Sequence, residues 1–512
     1  MDFLRRAVLA TIACSWLFLS GCGNTFRPIA TPLTLAPGNP QLADMVAVYN
    51  VNPCTTAFVL VNSVKQCNSD ATGSLTVFSV AGDTNVGNYA IGANDQLTIA
   101  SPLVNPLTSR LITFAGGDTF VATADPESDT VTLYNTLEGT TTAISLPQDL
   151  YPTFITATAT TGLILVSLQE VSPASSNPTC PGGKGAIGII PTGTAALANT
   201  VCAGSKPGFL LVAQSDSEVF ILDQTDHNVS VLNLSTLSPS STMSAVIPVG
   251  MNPIWATTSL DGNTIYVLNH GSNDISVIDA VGQSIIAGSV KPRKPGTTLA
   301  LSSLSAPSVI ITDRNMNRLY ISNTGMVPSN SANNTVSVLD ATSLDTTPAT
   351  IATLGSPTLT ELHAPIAVGA NPIALAVTLD GSSVYVADTW ANTASVINGN
   401  SFNVSVLTPD TTNAAALVQS VAVSNDGTKA FIAVTVPGDR AIANSNNPDL
   451  PASGNGIYVV LTSNNSFATN DTGGVLNIAP PQDMSCDVTE TCFVPGAGSV
   501  LLQRPLQIVP RI

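Results

Sequence analysis

The sequence predicts an all-β protein, a β-propeller of four-stranded blades with eight blades by count and seven possible. Three observations predict it: the composition, a recurring strand–turn–strand unit, and the inability of any one unit to bury itself. Only 10% of the 512 residues are charged, while 44% are hydrophobic. Ser, Thr and Asn must then supply much of the polar surface. This disfavours helices, whose exposed faces favour Glu, Lys, Gln and Arg. It favours strands rich in Val, Ile, Thr and Tyr joined by Gly, Asn, Asp and Pro turns.

The clearest unit runs from Asn252-Pro253-Ile254-Trp255 through Asp261-Gly262 to Thr264-Ile265-Tyr266-Val267-Leu268-Asn269 and Asp274-Ile275-Ser276-Val277-Ile278-Asp279. It returns as Asn371-Pro372-Ile373-Ala374, Asp380-Gly381, Val384-Tyr385-Val386-Ala387-Asp388 and Ala394-Ser395-Val396-Ile397-Asn398. Alternating apolar positions give a first strand, a. Asp-Gly supplies a tight turn, because Gly takes positive φ without steric cost. Strand b carries Tyr-Val, and strand c is of the type Ser-Val-Ile-Asp. Strand d is weaker in sequence, as at Ser284-Ile285-Ile286-Ala287. Degenerate copies start near 207, 307 and 418, and fainter ones near 44, 109 and 151. Four short strands cannot bury their faces alone, so the copies must stack.

This pattern resembles the YVTN family of β-propeller repeats, common in bacterial surface and periplasmic proteins. The family's strand b is matched by Tyr266-Val-Leu-Asn269, Tyr320-Ile-Ser-Asn323 and Tyr385-Val-Ala-Asp388. The resemblance implies a seven-bladed ring by family habit, against the count of eight; the first or last unit can share one blade.

The chain divides into three segments: a leader (1–21), a tether (22–42) and the propeller (43–512). Arg5 and Arg6 precede the apolar run Ala7 to Leu19, which is too short to span a bilayer comfortably. Leu19-Ser20-Gly21-Cys22 resembles the lipobox of bacterial lipoproteins. It implies cleavage before Cys22 and acylation of its thiol, hence an anchor to the membrane. Residues 23–42 are rich in Pro, Gly and Thr and read as a linker. The expected location is the bacterial cell envelope, on the periplasmic or cell-surface side.

Cysteine usage fits export. Besides Cys14 and Cys22, six remain: Cys54, Cys67, Cys180, Cys202, Cys486 and Cys492. An even number outside the cytoplasm predicts disulfides. Cys180 with Cys202 would close about twenty residues and contribute roughly 3 kcal/mol. Cys486 with Cys492 would staple a C-terminal loop. Cys54 with Cys67 needs the chain to fold back after the strand Ala57 to Val61, so either could instead pair with Cys486 or Cys492. No spacing matches a zinc site, and no metal or cofactor is expected.

Strands of a propeller alternate in direction along its axis, so b–c and d–a connections share one face. The insertions 169–184, 324–334 and 437–455 read as b–c connections, and 291–306 and 352–370 as d–a connections. All would lie on one face, which becomes the expected working face. Trp390 falls in a b–c loop there. Lys291, Arg293 and Lys294 form a small cationic spot in a d–a loop; Arg314 and Arg318 belong to the opposite face. Trp255 is placed in strand a, on the central channel.

The net charge of −17 excludes a nucleic-acid partner, which would need a basic stripe. His227, His270 and His363 are the only histidines, and none sits in an acid–base motif. No nucleophile elbow, phosphate loop or dinucleotide fingerprint is present, so no catalytic residue is assigned. The expected function is a monomeric, non-catalytic binding scaffold for a protein or glycan. The alternatives are a lactonase-like propeller hydrolase, which fold kinship alone suggests, and an adhesive envelope component without a discrete ligand.

Overall fold

A computed structural model describes residues 45–51, 58–61, 64–67, 73–80, 84–91, 110–117, 119–126, 128–170, 179–292, 304–313, 315–324, 334–341, 359–409, 416–435, 456–468, 475–476, 493–494, 499–500 and 504–510. The described residues contain no helix and form eight antiparallel blades with strands a to d running outward from a channel. Blade 2 is Ile112–Ala115, Phe120–Asp125, Thr130–Asn135 and Thr140–Ser145. Blade 3 is Leu150–Ala157, Leu163–Glu170, Ala186–Pro191 and Asn199–Cys202. Blade 4 is Pro207–Val212, Glu218–Asp223, Asn228–Asn233 and Ala245–Pro248, and blade 5 Pro253–Thr258, Thr264–Asn269, Asp274–Asp279 and Ser284–Val290. Blade 6 has Pro307–Asp313, Arg318–Asn323, Thr335–Asp340 and a strand d in two pieces, Thr360–Glu361 and Ile366–Ala367. Blade 7 is Pro372–Val377, Ser383–Asp388, Thr393–Asn398 and Val404–Leu407. Blade 8 is Leu417–Val423, Lys429–Thr435, Gly456–Leu461 and another divided strand d, Ser466–Phe467 with Val475–Leu476.

Blade 1 closes the ring. Its strands b, c and d are Met45–Val51, Gly73–Ser79 and Thr84–Ile91, but its strand a is the C-terminal Arg504–Pro510. Val46 faces Pro510 and Val48 faces Ile508. The unit near 44 therefore begins at strand b, and the two chain ends share one blade. The eight counted units are eight blades.

Burial explains which parts of the repeat are legible. Strand b of blades 5 and 7 is buried at every position, because neighbours cover both faces. Strand d of blade 2 is exposed at all but one position, so little selects its residues. The strand-b tyrosines Tyr49, Tyr266, Tyr320 and Tyr385 are fully buried. Tyr385 packs among residues of blade 8, and its hydroxyl donates to Asn465 Oδ1 at 2.5 Å. The Tyr-Val of the repeat thus wedges one blade against the next.

The a–b turns are longer than a two-residue hairpin. Gly262 donates its N–H to Ser259 O at 3.1 Å and has φ +73. Gly381 and Gly427 repeat this with φ +71. Asp261 accepts Ser259 Oγ at 2.6 Å and the Asn263 N–H at 3.0 Å. The Asp fixes a β-turn, and the Gly supplies the left-handed residue that returns the chain to strand b.

One placement is corrected. Of residues 352–370, only 368–370 join d to a. Glu361 pairs with Leu339 and Ile366 with Val336, so 360–367 form strand d and the long connection 341–359 joins c to d. That insertion belongs to the a–b/c–d face. The two short pieces of strand d carry no recognisable alternation, which hid them.

Candidate functional site

In every blade but blade 2, strand a carries a local irregularity near its start that shapes the channel. In blades 3, 5, 6 and 7 it begins at or just beside Pro152, Pro253, Pro307 and Pro372, and the register shifts immediately after that proline. The shift recurs after Pro207, after Val418 and at Pro505. Proline lacks an N–H and is tolerated at a strand start or edge. The bulge beside it increases twist and re-aims the following side chain. Two residues beyond each of these positions stand Phe154, Phe209, Trp255, Val309, Ala374, Ser420 and Gln507. They form one tier around the channel.

The tier is lopsided. Phe154, Phe209 and Trp255 from consecutive blades pack together, with ring centroids 4.8 Å apart for Phe154–Phe209 and 4.6 Å for Phe209–Trp255. This aromatic cluster fills one side. The opposite side carries small or slender residues and opens into a cavity of about 360 Å³, within the range of ligand pockets. Its walls come from blades 6, 7, 8 and 1, with Trp255 and Arg110 at its margins. The walls are apolar towards the a–b face, at Ile311, Val377 and Val423. Gln419, Ser420 and Gln507 lie nearer the d–a end. Trp255 is therefore both a channel-lining residue and a packed aromatic.

Sequence inspection missed Arg110. It precedes strand a of blade 2, at the level that Ile373 and Gln419 hold in blades 7 and 8. Its carbonyl accepts the Ile155 N–H at 2.7 Å, which fixes its backbone to blade 3. Its Nε donates to Ile112 O at 3.2 Å. Protein surrounds the guanidinium, and its residual surface faces the cavity. Burial pulls its pKa below the usual value, with no carboxylate contributing. Arginine nevertheless stays charged. Next to it the Leu111 N–H donates to Gln507 Oε1 at 2.5 Å, joining blade 2 to the closing strand.

Of the expected site residues, Trp390 lies in the b–c turn of blade 7 and is 44% exposed. Its N–H donates to Ala370 O at 3.1 Å, in the adjoining d–a connection. Lys291 is exposed at the start of the blade 5 to blade 6 connection. Arg293, Lys294 and Arg314 lie outside the described residues. Arg318 lies on the other face, where it donates to Gly399 O and stacks 5.3 Å from the Phe402 ring.

Cys180 and Cys202 form a disulfide, with Cα atoms 5.6 Å apart. It ties the b–c insertion of blade 3 to the end of its strand d. Phe58–Val61 and Val64–Cys67 pair as a hairpin with Phe58 opposite Cys67. The chain does fold back there, as a Cys54–Cys67 bridge would require. The side chains of Cys54, Cys67, Cys486 and Cys492, like Cys22, the leader and the tether, lie outside the described residues.

The histidine ring nitrogens contact the backbone, and two of them join neighbouring blades. His270 Nδ1 lies 2.8 Å from Pro307 O, His363 Nδ1 2.6 Å from Ala364 O, and His227 Nδ1 3.0 Å from Gln224 O. Among the described residues no three of His, Cys, Asp and Glu converge as metal ligands. No described helix is long and apolar enough to cross a membrane.

A second recurrent feature also went unread. Buried Asn or Asp stands at the end of strand b, at Asp125, Asp223, Asn269, Asn323 and Asp388, and one residue before it at Asn50. Each is bound to a hydroxyl of strand c: Thr76, Thr132, Ser230, Ser276, Ser337 and Ser395 respectively. In blades 4, 5 and 7 the preceding connection brings Gly204, Gly250 or Gly369 against this side chain. Burial pushes Asp223 up to about 7 and Asp388 up to about 6. The signal was present as Gly-x-Asn-Pro at Gly250-Met251-Asn252-Pro253 and Gly369-Ala370-Asn371-Pro372.

No family model and no curated protein matches the sequence. Among solved structures the chain is similar to "Dihydro-heme d1 dehydrogenase NirN in complex with DHE", with 12% identity and a TM-score of 0.56 over 86% of this chain and 76% of that one. It is less similar to a putative 6-phosphogluconolactonase from Bacteroides uniformis (11% identity, TM-score 0.43, 71% and 94% covered). The β-propeller domain of Cps50 (Swd1) from Myceliophteria thermophila gives 9% identity and a TM-score of 0.44, with 65% and 94% covered. At such identities the likeness is one of fold, and the fold is an eight-bladed β-propeller.

Proposed function

We propose that this is a lipid-anchored propeller of the YVTN kind in a bacterial cell envelope, which binds a protein or glycan through its b–c/d–a face. The observation that carries the reading is the distribution of connections. The stretches 52–72, 171–185, 324–334 and 436–455 join b to c, and 92–111, 291–306 and 477–503 join d to a. Apart from 341–359 and the shorter 234–244, the a–b and c–d connections are brief. A rigid ring that elaborates one face presents loops for recognition. Trp390 is exposed on that face, and tryptophan is enriched at binding hot spots. The Cys180–Cys202 bridge supports an oxidising compartment.

The test is photo-cross-linking in intact cells from single sites on opposite faces. A photoreactive residue at Trp390 is expected to give a discrete adduct. The same residue at Leu379, 64% exposed on the a–b turn of blade 7, is expected to give none. Equal labelling from both sites contradicts the reading.

A further inference from the structure

We propose that the off-centre cavity of the channel is a binding site for a small organic carboxylate, with Arg110 as its counter-charge and blades 6, 7 and 8 as the wall for its apolar body. A buried charge is normally paired, since an isolated one carries a large desolvation cost. Among the described residues Arg110 spends only its Nε, on Ile112 O. Among the described residues its two terminal nitrogens have no partner. The chain carries 33 Asp and Glu against 16 Lys and Arg, yet burial alone accounts for the shift of this guanidinium, with no carboxylate charge contributing. Arg110 instead borders a cavity of about 360 Å³. A planar fork of donors matches a carboxylate in bidentate geometry.

The rest of the lining specifies the ligand further. Gln419, Ser420 and Gln507 line the same end as Arg110 and supply polar contacts around one charged group. Gln419 is anchored by its Nε2 donating to Thr435 Oγ1 at 3.0 Å, and Gln507 by accepting the Leu111 N–H. Ile311, Leu375, Val377, Val421 and Val423 form the remainder. One cation and an apolar wall suit a monoanion with a hydrocarbon or aryl body. They do not suit a phosphate dianion, which would call for more positive charge. Arg110 lies at the d–a end of the channel, so the carboxylate end points to the loop-rich face.

The test is calorimetric titration of the purified protein with octanoate and 4-phenylbutyrate, their neutral amides, and inorganic phosphate. The carboxylates are expected to bind with one-to-one stoichiometry. The amides and phosphate are expected to bind at least ten-fold more weakly. Arg110→Gln should weaken carboxylate binding at least ten-fold. Ala374→Trp, which places in blade 7 the side chain that blade 5 already holds as Trp255, should fill the cavity and abolish binding. If Arg110→Gln fails to fold, the amide comparison and Ala374→Trp still decide. No binding of either carboxylate, equal binding of acid and amide, or undiminished binding by a folded Ala374→Trp protein would overturn the proposal. The cross-linking from Trp390 reads a different surface, so the two ideas fail separately.

Discussion

Asp388 accepts hydrogen bonds from Thr393 Oγ1 at 2.9 Å and Ser395 Oγ at 2.8 Å, while at the same place in blade 6 the amide of Asn323 donates to Thr335 and Ser337. The Thr-x-Ser pair is the same; only the strand-b residue differs. An amide brings its own donor and needs no proton. A buried carboxylate must either hold a proton or carry a desolvated charge that these hydrogen bonds offset only in part.

Stability should therefore fall as pH rises through the range in which the folded protein holds protons the unfolded chain has released. Asp223 and Asp388 are raised from 3.8 to about 7 and about 6. Their stabilising contribution is complete below about pH 4 and is lost by about pH 7. Denaturation at pH 5 and pH 8 should show a loss of at least ~1 kcal/mol, since each pKa unit corresponds to about 1.4 kcal/mol. Asp388→Asn, which gives blade 7 the residue that blade 6 carries as Asn323, should flatten this dependence. A slope unchanged in the variant would show that Asp388 is not its source.

Gly369 and Gly250 should not tolerate a side chain. A Cβ on Gly369 would overlap the Asp388 carboxyl group, and one on Gly250 would stand 2.5 Å from Asn269 Nδ2. Both neighbours are buried and held by hydrogen bonds. Gly369→Ala and Gly250→Ala should each cost ~1–3 kcal/mol, as overpacking typically does, measured by denaturant unfolding. Gly288, whose Cβ would meet nothing within 4 Å, is the control and should change little.

Removing residues 504–512 should destroy the ring rather than shorten it. The deletion takes away strand a of blade 1 and exposes Met45–Val51 as an unpaired edge. It also removes the Gln507 contact to Leu111. The expected result is loss of the cooperative melting transition and aggregation through the open edge. A truncated protein that melts like the whole chain would contradict closure by the C-terminal strand.

Replacing Cys180 and Cys202 with Ala should lower stability by roughly 3 kcal/mol, the value expected for closing a loop of this length, with the sequence separation being 22. Unfolding midpoints with and without reductant provide the comparison. The double variant should show no reductant effect from this bridge.

The parts of the fold legible in sequence are those under the tightest packing. Tyr266, Tyr320 and Tyr385 stand out because a buried inter-blade position accepts few side chains. Gly262, Gly381 and Gly427 stand out because their backbone needs positive φ. Cys180 and Cys202 are legible as a pair because their connections meet on one face. Strand d of blade 6 is hidden because two-residue strands leave no alternation, so 352–370 reads as a d–a connection although most of it belongs to the c–d connection and to strand d. Arg110 stayed hidden for another reason. Strand a of blade 2 lacks the proline that stands near the start of strand a in blades 3 to 7, and the channel assembles from blades scattered along the whole chain. No local window shows Arg110, Gln419 and Gln507 converging.

The c–d connection 341–359 supplies the control for the claim that recognition belongs to the b–c/d–a face. Loops 436–455 and 341–359 are comparable in length but join b to c and c to d respectively. Each can be replaced by a short turn, and the in-cell adduct from a photoreactive residue at Trp390 then quantified. Shortening 436–455 should reduce the adduct at least five-fold, while shortening 341–359 should leave it unchanged. The reverse pattern, or equal loss from both, would contradict a partner bound on the loop-rich face.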